Sequence, residues 1–328
     1  MAGSKSAISM RSLSKSFGEI KAVSRLSLEI PEGEVFALLG PNGAGKTTTI
    51  SMLCGLLEPT GGHAVVAGYD VLKEPLKVRQ EIGVVFQQPS VDDLLSGREN
   101  LEMHALLYGM PGKGRKERID SMLELVGLTA RQGSRIKEYS GGMRKRLEIA
   151  RGILHSPKIL FLDEPTTGLD PQTRQHIWKY IKKMAVRERT TIVFTTHYLE
   201  EAEQFADRVA IIDRGRVIAR GRPLELIAEL GGDVAFMKTS EPKKLAAKLR
   251  RMPFVRNIKV GSEGVSVSIL HSHKNLPKML RQAEGVESID MHPATLNDVF
   301  IKYTGRGIRE DAAEGGFWDR IMNSQADR

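Results

Sequence analysis

The chain has 328 residues, about two domains at the usual ~150 residues each, and its 41% hydrophobic and 27% charged residues exclude disorder over most of the length. No apolar run approaches the ~18 residues of a membrane-spanning helix, residues 1–11 lack the apolar core of a secretory signal, and the single cysteine, Cys54, cannot form an internal disulfide, so we expect a cytosolic protein. The net charge of +9 comes without an arginine-rich arm, zinc-ligand spacing or aromatic residues within basic stretches, which argues against a nucleic-acid partner.

Short segments of alternating polarity open the chain, at residues 7–10, 22–23 and 26–30, and this period of two predicts antiparallel strands. Residues 35–39 are continuously apolar, which is typical of a strand buried on both faces. A glycine-rich loop follows, and we expect a helix over residues 46–57.

The middle of the chain alternates strands with helices. The pattern is mostly helical over residues 90–135, and it then predicts a helix after Ser140, strands at 159–162 and 191–195, helices at 172–187 and 199–206, and a strand pair at 209–212 and 217–219. Strands that alternate with helices predict an α/β domain with a mainly parallel sheet.

Gly231-Gly232 marks the expected boundary of a second domain. Beyond it the pattern restarts as strand, helix, strand, strand, helix, strand, which predicts a small α+β domain of ferredoxin-like fold. We therefore expect a first domain over residues 5–230, with a helical subdomain at about 90–155, and a second over residues 232–305. Residues 306–328 are polar and are expected to form a loose tail.

The loop after the first buried strand has the composition of a phosphate-binding loop. It reads Gly40-Pro41-Asn42-Gly43-Ala44-Gly45-Lys46-Thr47, followed by Thr48, and fits the pattern G-x-x-x-x-G-K-[ST] between a strand and a helix. Backbone N–H groups and the helix N-terminus would surround the β- and γ-phosphates. Lys46 would add a full positive charge, and the Thr47 hydroxyl could bind Mg²⁺. The alternative is a plain glycine-rich turn.

Two adjacent acids, Asp163 and Glu164, end the apolar strand at 159–162. The carboxyl end of a parallel strand faces the crevice where ligands bind. Asp163 would hold Mg²⁺, and Glu164 would be the general base that polarises the attacking water. Alone, this pattern is also that of a strand leading into a turn.

The segment Tyr139-Ser140-Gly141-Gly142-Met143 precedes a helix rich in basic residues. Ser140 could simply be the N-cap of that helix. A Ser-Gly-Gly sequence at a helix start is also suited to binding an anion, because its N–H groups are bare and a hydroxyl lies beside them.

Taken in order, these motifs resemble those of the ATP-binding cassette (ABC) transporter ATPases. The resemblance covers roughly residues 5–225, and its motifs are the phosphate loop, Gln87, Ser140-Gly141-Gly142, Asp163-Glu164, Asp170 and His197. Tyr139 and Met143 depart from the leucine and glutamine of the commonest family signature. The resemblance implies a P-loop cassette that has a mainly parallel sheet, an antiparallel β subdomain and a helical subdomain.

The family mechanism implies that this protein binds ATP and Mg²⁺ and hydrolyses ATP between two copies packed head to tail. Ser140, Gly141 and Gly142 of one copy would contact the γ-phosphate held by Lys46 of the other. The resemblance implies four further roles: His197 contacts the γ-phosphate, Gln87 senses Mg²⁺ and the attacking water, Asp170 couples the two sites, and Phe17 stacks on adenine.

The C-terminal residues narrow the subfamily. The sequence at 293–300, followed by Tyr303-Thr304-Gly305, resembles the daunorubicin-resistance-type ATPases of type-2 ABC exporters, although a generic strand and helix could also explain it. The resemblance implies the ATPase subunit of an exporter for a drug, lipid or polysaccharide-type cargo. It would lie on the cytoplasmic face of the cell membrane and drive a separate integral-membrane permease, which would dock on the helical stretch at 90–135. The second domain would support dimer contact or regulation.

Two other hypotheses remain open at this point. One is an ABC ATPase that acts on DNA or ribosomes, but such proteins carry a long coiled-coil insertion or two cassettes, and this sequence contains one cassette and no sustained heptad pattern. The other is a regulator that binds nucleotide without hydrolysing it, which the presence of Glu164 and His197 disfavours.

Overall fold

The computed structural model describes residues 6–88, 90–281 and 283–304. The predicted tail at 306–328 lies outside these residues. The described chain forms two compact units, the first ending at Ile218 and the second beginning at Ala219. Among the described residues, no helix is both long and apolar enough to cross a membrane.

An antiparallel sheet forms the start of the first unit. It contains β1 (Ser6–Phe17), β2 (Ile20–Pro31), β4 (Gly61–Val66) and β5 (Tyr69–Asp70), in the order β2-β1-β4-β5. The alternating residues of β1 and β2 bury Ile8, Leu26 and Ile30. The antiparallel β subdomain expected from the sequence is therefore present, and it is extended by β4 and β5.

A six-stranded sheet forms the centre of the first unit, in the order β10-β9-β3-β8-β7-β6. Its strands are β3 (Val35–Leu39), β6 (Ile82–Val85), β7 (Ile159–Asp163), β8 (Thr191–Thr196), β9 (Arg208–Asp213) and β10 (Arg216–Gly221). Strand β3 pairs in parallel with β8 and β9, and β7 pairs in parallel with β6 and β8. These pairings bring the carboxyl ends of β3, β7 and β8 to one edge, as the α/β prediction required.

The helices of the first unit connect these strands. They are α1 (Lys46–Leu53), α2 (Pro75–Glu81), α3 (Gly97–Leu107), α4 (Gly112–Leu125), α5 (Gly141–Ile153), α6 (Pro171–Glu188) and α7 (Leu199–Phe205), and two 3₁₀ turns lie between α4 and α5. Helix α1 ends four residues before the predicted limit because Gly55, with φ +63°, takes the left-handed conformation that commonly closes a helix.

The second unit contains a four-stranded antiparallel sheet in the order β12-β13-β11-β14. Its elements are β11 (Asp233–Thr239), α9 (Pro242–Leu249), β12 (Val255–Val260), β13 (Gly264–Ile269), α10 (Ser272–Leu280) and β14 (Val286–His292), with α8 (Pro223–Ala228) before them and α11 (Leu296–Thr304) after. The β-α-β-β-α-β order is the expected one, and the ferredoxin-like assignment stays a prediction.

The division between the units falls earlier than the predicted boundary at Gly231-Gly232. Helix α8 contacts α11, and the Tyr303 hydroxyl lies 3.4 Å from a carboxylate oxygen of Glu229. The Asn257 side chain also donates to the backbone carbonyl of Leu230, at 2.7 Å. These contacts make α8 part of the second unit, which glycine content alone did not reveal.

Candidate active site

The phosphate loop, residues 40–47, is held in one conformation by close backbone contacts. A Cβ at Gly40 would lie 2.2 Å from the carbonyl oxygen of Ile212. A Cβ at Gly45, where φ is +99°, would lie 2.4 Å from the carbonyl oxygen of Ala22. The N–H of Gly215 donates to the carbonyl of Ala44 at 3.0 Å. Glycine is therefore required at both ends of the loop, and the loop's path is fixed by its neighbours.

Lys46 is buried at the start of α1 and points back into this loop. Its Nζ donates to the carbonyls of Gly40 at 2.8 Å and Pro41 at 3.1 Å, and lies 3.4 Å from Oε1 of Glu164. Burial lowers the pKa of Lys46, while the carboxylates of Glu164 and Asp163 oppose that shift. The Lys46 amine is therefore already placed inside the loop, where phosphate oxygens would enter.

Thr47 and Asp163 lie side by side. The Thr47 hydroxyl donates to Oδ1 of Asp163 at 3.2 Å, and the Thr195 hydroxyl donates to the same oxygen at 2.5 Å. Burial raises the pKa of Asp163, and the two hydroxyl hydrogen bonds oppose this. A hydroxyl and a carboxylate are oxygen ligands of the kind that Mg²⁺ prefers.

Thr47 and Asp163 offer one oxygen ligand each, and this number also fits Mg²⁺. No group of three or more His, Cys, Asp or Glu side chains that could hold a metal ion occurs in the part of the chain that the structure describes. Mg²⁺ bound with a nucleotide needs only one or two protein oxygens, because phosphate oxygens and water supply the rest.

Glu164 follows β7 in a strained backbone conformation, with φ of 47°. Its N–H donates to the Thr195 hydroxyl at 2.9 Å, and its Oε2 accepts from the Thr167 hydroxyl at 3.0 Å. Burial alone would raise the pKa of this carboxyl, but the contacts with His197, Lys46 and Thr167 outweigh burial and lower the pKa to about 2. The carboxylate is therefore ionised at neutral pH, which is the form that can accept a proton.

His197 lies directly after β8 and meets Glu164. Its Nδ1 lies 3.3 Å from Oε2 of Glu164, which is its nearest carboxylate oxygen. The preceding residue, Thr196, accepts from the N–H of Gly40 at 3.4 Å through its backbone carbonyl. The structure therefore brings together the loop, Lys46, Thr47, Asp163, Glu164 and His197, as the sequence predicted.

Ser140 and Asp170 serve as helix caps in this chain. The Ser140 hydroxyl accepts from the N–H of Met143 at 3.3 Å at the start of α5, and Asp170 Oδ1 accepts from the N–H of Thr173 at 2.9 Å at the start of α6. Among the described residues, neither makes a hydrogen bond or ion pair with the phosphate loop. Gly141 has open space at its Cβ position, whereas a Cβ at Gly142 would lie 2.7 Å from the Thr173 side chain.

Phe17 and Gln87 occupy the outer parts of the same unit. Phe17 ends β1 and is half-buried, and the centre of its ring lies 5.2 Å from Nζ of Lys15. Gln87 is exposed two residues after β6, and Lys145 of α5 donates to the carbonyl of the adjacent Phe86 at 3.1 Å. Their expected contacts with adenine and with Mg²⁺ stay predictions.

Thr195 is a site residue that sequence reasoning missed. It bonds both to the Asp163 side chain and to the Glu164 backbone, and it pairs with Asp163 in the sheet. The sequence did contain a sign of this role, because two threonines, Thr195 and Thr196, follow the apolar residues 192–194 at the same edge of the sheet as the two acids.

Comparisons with known proteins agree with this geometry. A family model described as ABC transporter matches residues 23–167. The daunorubicin resistance ATP-binding protein DrrA3 of Streptomyces coeruleorubidus is 38% identical over 93% of this chain and 99% of its own length. The Nod factor export ATP-binding protein I of Rhizobium sp. (strain N33) is 38% identical over 94% of this chain and 100% of its own. A solved dimer of the ATP-binding cassette MJ0796, in a post-hydrolysis state bound to ADP and Pi, matches with a TM-score of 0.60 at 29% identity, covering 66% of this chain and 98% of that one.

Proposed function

Because the chain belongs to the ABC transporter family as an ATP-binding protein, and is an ATPase, we propose that it is the energy-coupling subunit of an exporter. The single observation that carries the catalytic part is the placement of Glu164, whose ionised carboxylate lies 3.4 Å from Lys46 and 3.3 Å from His197. The names of the similar proteins, which concern daunorubicin resistance and Nod factor export, support an exported drug, lipid or polysaccharide-type cargo.

The residues of the site divide the work of hydrolysis. Lys46 and the loop N–H groups bind the phosphates, and Glu164 accepts a proton from water as that water attacks the γ-phosphorus. The bond from the γ-phosphorus to the β–γ bridging oxygen breaks, and ADP and phosphate leave. His197 stabilises the γ-phosphate oxygens. Thr47, Asp163 and Gln87 would hold Mg²⁺, which neutralises charge on the phosphates when it is bound.

A second copy of the chain completes the site in this proposal. Ser140, Gly141 and Gly142 take no part in the phosphate loop of their own chain, and Gly141 has open space at its Cβ position. We assign them to the γ-phosphate held by the partner copy, with Asp170 linking the two sites and Phe17 stacking on adenine. The dimeric state of the similar solved cassette supports this arrangement.

The second proposed partner is an integral-membrane permease. Leu94, Leu106 and Leu107 in the helical part of the first unit are 74%, 62% and 76% exposed. An exposed apolar group of this kind is typical of a docking surface. The protein would then lie at the cytoplasmic face of the cell membrane, bound to the permease, with no nucleic-acid partner. The second unit would support dimer contact or regulation.

The catalytic proposal is tested by Glu164→Gln, which preserves the shape of the side chain and removes the base. We expect fluorescent-ATP binding to be retained and phosphate release to fall by about 10²-fold or more. We also expect a dimer that persists with ATP in size-exclusion chromatography, because the nucleotide is no longer consumed. Glu117→Gln, a change at an exposed residue of α4, is the matched control. Unchanged phosphate release in Glu164→Gln would reject the assignment.

A further inference from the structure

Two separate segments carry the groups that must meet for hydrolysis. Residues 164–170 follow β7 and contain Glu164, while residues 196–198 comprise the last residue of β8 and the two residues after it, the first of which is His197. The two strands pair in parallel as far as Asp163 and Thr195, and beyond that point sheet hydrogen bonds no longer fix the spacing of the segments. The Thr195 hydroxyl accepts from the N–H of Glu164 at 2.9 Å, and a further contact is needed to hold the rest of each segment, and with it His197, in register.

Glu201 on α7 makes such a contact with both segments. Its Oε1 accepts a hydrogen bond from the Thr166 hydroxyl, and its Oε2 accepts one from the Thr196 hydroxyl at 3.0 Å. Thr166 is two residues from Glu164, and Thr196 is the neighbour of His197. The carboxylate thus joins the segment of the general base to the segment of the histidine, one oxygen to each.

Arg174 of α6 completes this arrangement from the other side. Its Nε lies 3.5 Å from Oε1 of Glu201, its guanidinium stacks 3.9 Å above the Tyr198 ring, and one of its terminal nitrogens donates to the carbonyl of Leu169 at 3.5 Å. Arg174 therefore supplies the countercharge for Glu201 and contacts residues of both segments.

The burial of Glu201 indicates that its two hydrogen bonds have a function beyond filling space. The residue is 3% exposed, and desolvating a carboxylate costs free energy that a single countercharge seldom recovers in full. An apolar side chain of similar volume would fill the same space at lower cost. What an apolar residue cannot do is accept the two hydroxyl hydrogen bonds, whose donors lie on different segments.

We propose that Glu201 is a positioning residue for ATP hydrolysis, which sets the spacing between Glu164 and His197 by bonding Thr166 and Thr196. It does not touch the phosphate loop lysine, so its effect should fall on turnover rather than on nucleotide binding. The inference rests on the proposed roles of Glu164 and His197.

The test is a double-mutant cycle with Glu201→Gln and His197→Ala. The glutamine keeps the shape but removes the charge that faces Arg174, and it replaces one acceptor oxygen by an N–H donor, so one threonine hydroxyl has to turn from donor to acceptor. We expect kcat to fall by about tenfold and the dissociation constant for fluorescent ATP to change less than about twofold. In the His197→Ala background, Glu201→Gln should lower kcat less than about twofold, because no histidine remains to be positioned. Glu200→Gln, the exposed neighbour on the same helix, should match the wild type.

A second pair of variants keeps the proposal testable if Glu201→Gln does not fold. Thr196→Val removes the hydroxyl at nearly constant volume, and Thr196→Ser restores it. We expect Thr196→Val to lower kcat by about tenfold and Thr196→Ser to recover most of it. Thermal unfolding midpoints are measured on every variant.

Three outcomes would overturn the proposal. They are an unchanged kcat in Glu201→Gln, a loss that persists in full without His197, and a loss of ATP affinity parallel to the loss of kcat. A normal kcat in His197→Ala itself would reject the proposed catalytic assignment and the inference with it. A reduced kcat in His197→Ala beside an unaffected Glu201→Gln would reject the inference alone.

Discussion

The residues around Glu164 shift the pKa of its carboxyl far from the ordinary value. The lowering of its pKa from an ordinary 4.5 to about 2 arises although burial acts in the opposite direction, so the contacts with His197, Lys46 and Thr167 dominate. At neutral pH the carboxylate is ionised in the folded chain and in the unfolded chain, but it is better stabilised in the folded one.

This shift makes a prediction about stability and pH. A carboxyl with a depressed pKa stabilises the fold at pH above about 4.5, and its contribution is lost as the pH falls towards about 2. The side chain is only 10% exposed, and the full contribution is roughly 3 kcal/mol. We expect the difference in unfolding free energy between nucleotide-free wild type and Glu164→Gln to shrink as the pH falls from about 4.5 towards about 2. Urea titrations at several pH values in this range measure the difference, and a difference that grows as the pH falls below about 4.5 would contradict the lowered pKa of Glu164.

Sequence motifs could indicate which residues gather at the candidate site, but not their local geometry. The motif spacing assigned Lys46 to the phosphates, Asp163 to Mg²⁺ and Glu164 to the attacking water, and the structure brings these three residues together. The spacing could not reveal the left-handed backbone of Glu164 or the two bonds of Thr195, since both depend on how β7 and β8 lie in the sheet.

At the scale of elements, the strongly apolar strands were the ones that could be predicted. Strand β3 is a continuous apolar run, β7 is one as far as Asp163, and β8 has apolar residues at 192–194 between threonines; all three lie within one residue of the expected bounds. Strands β4 and β6 were missed. Two adjacent glycines such as Gly61-Gly62 are typical of a turn, although β4 begins there, and β6 has only four residues, one of them a glycine. That glycine is Gly83, where a Cβ would lie 1.9 Å from the carbonyl of Gly152, a long-range contact that local sequence does not encode.

Ser96 and Ser140 both cap helices, but we expect substitution of the first to affect stability and substitution of the second to affect ATP hydrolysis. Ser96 forms a capping box at the start of α3, with its hydroxyl accepting from the N–H of Glu99 and the Glu99 carboxylate accepting from the N–H of Ser96 at 2.7 Å. Ser96→Ala should cost about 1 kcal/mol of unfolding free energy and leave basal kcat unchanged.

Ser140 should behave in the opposite way. Its cap bond to Met143, at 3.3 Å, is about as long as the 3.2 Å bond from Glu99 to Ser96, but Met143 has no carboxylate to return a bond and Ser140 is exposed, so Ser140→Ala should destabilise the fold less than Ser96→Ala. Its loss should lower phosphate release by about tenfold or more, because the hydroxyl would no longer meet the partner copy's nucleotide. Unfolding curves and phosphate release are measured on both variants, and a fully active Ser140→Ala would count against a shared site.

At the scale of the whole molecule, the decisive prediction concerns two copies. Lys46→Ala removes the loop lysine, and Ser140→Arg obstructs the signature segment, so each variant alone should be inactive. A heterodimer of the two contains one site in which both halves are intact. An equimolar mixture should recover about a quarter of the wild-type turnover if the sites act independently. Wild-type phosphate release by Ser140→Arg alone would show that each chain hydrolyses ATP without a partner's signature segment, and would reject the shared site.

The close meeting at the Ala22 carbonyl has a consequence for protein engineering. Cβ atoms at Gly45 and at Gly215 would lie 2.4 and 2.6 Å from that one oxygen, and both residues have positive φ. Three stretches of chain that are far apart in sequence therefore meet at one oxygen atom, and their backbones have to be spaced so that all three fit there. In a chimaera of two related proteins, β2, the phosphate loop and the turn between β9 and β10 should therefore come from the same parent. Segments from different parents would fit around that oxygen only by chance.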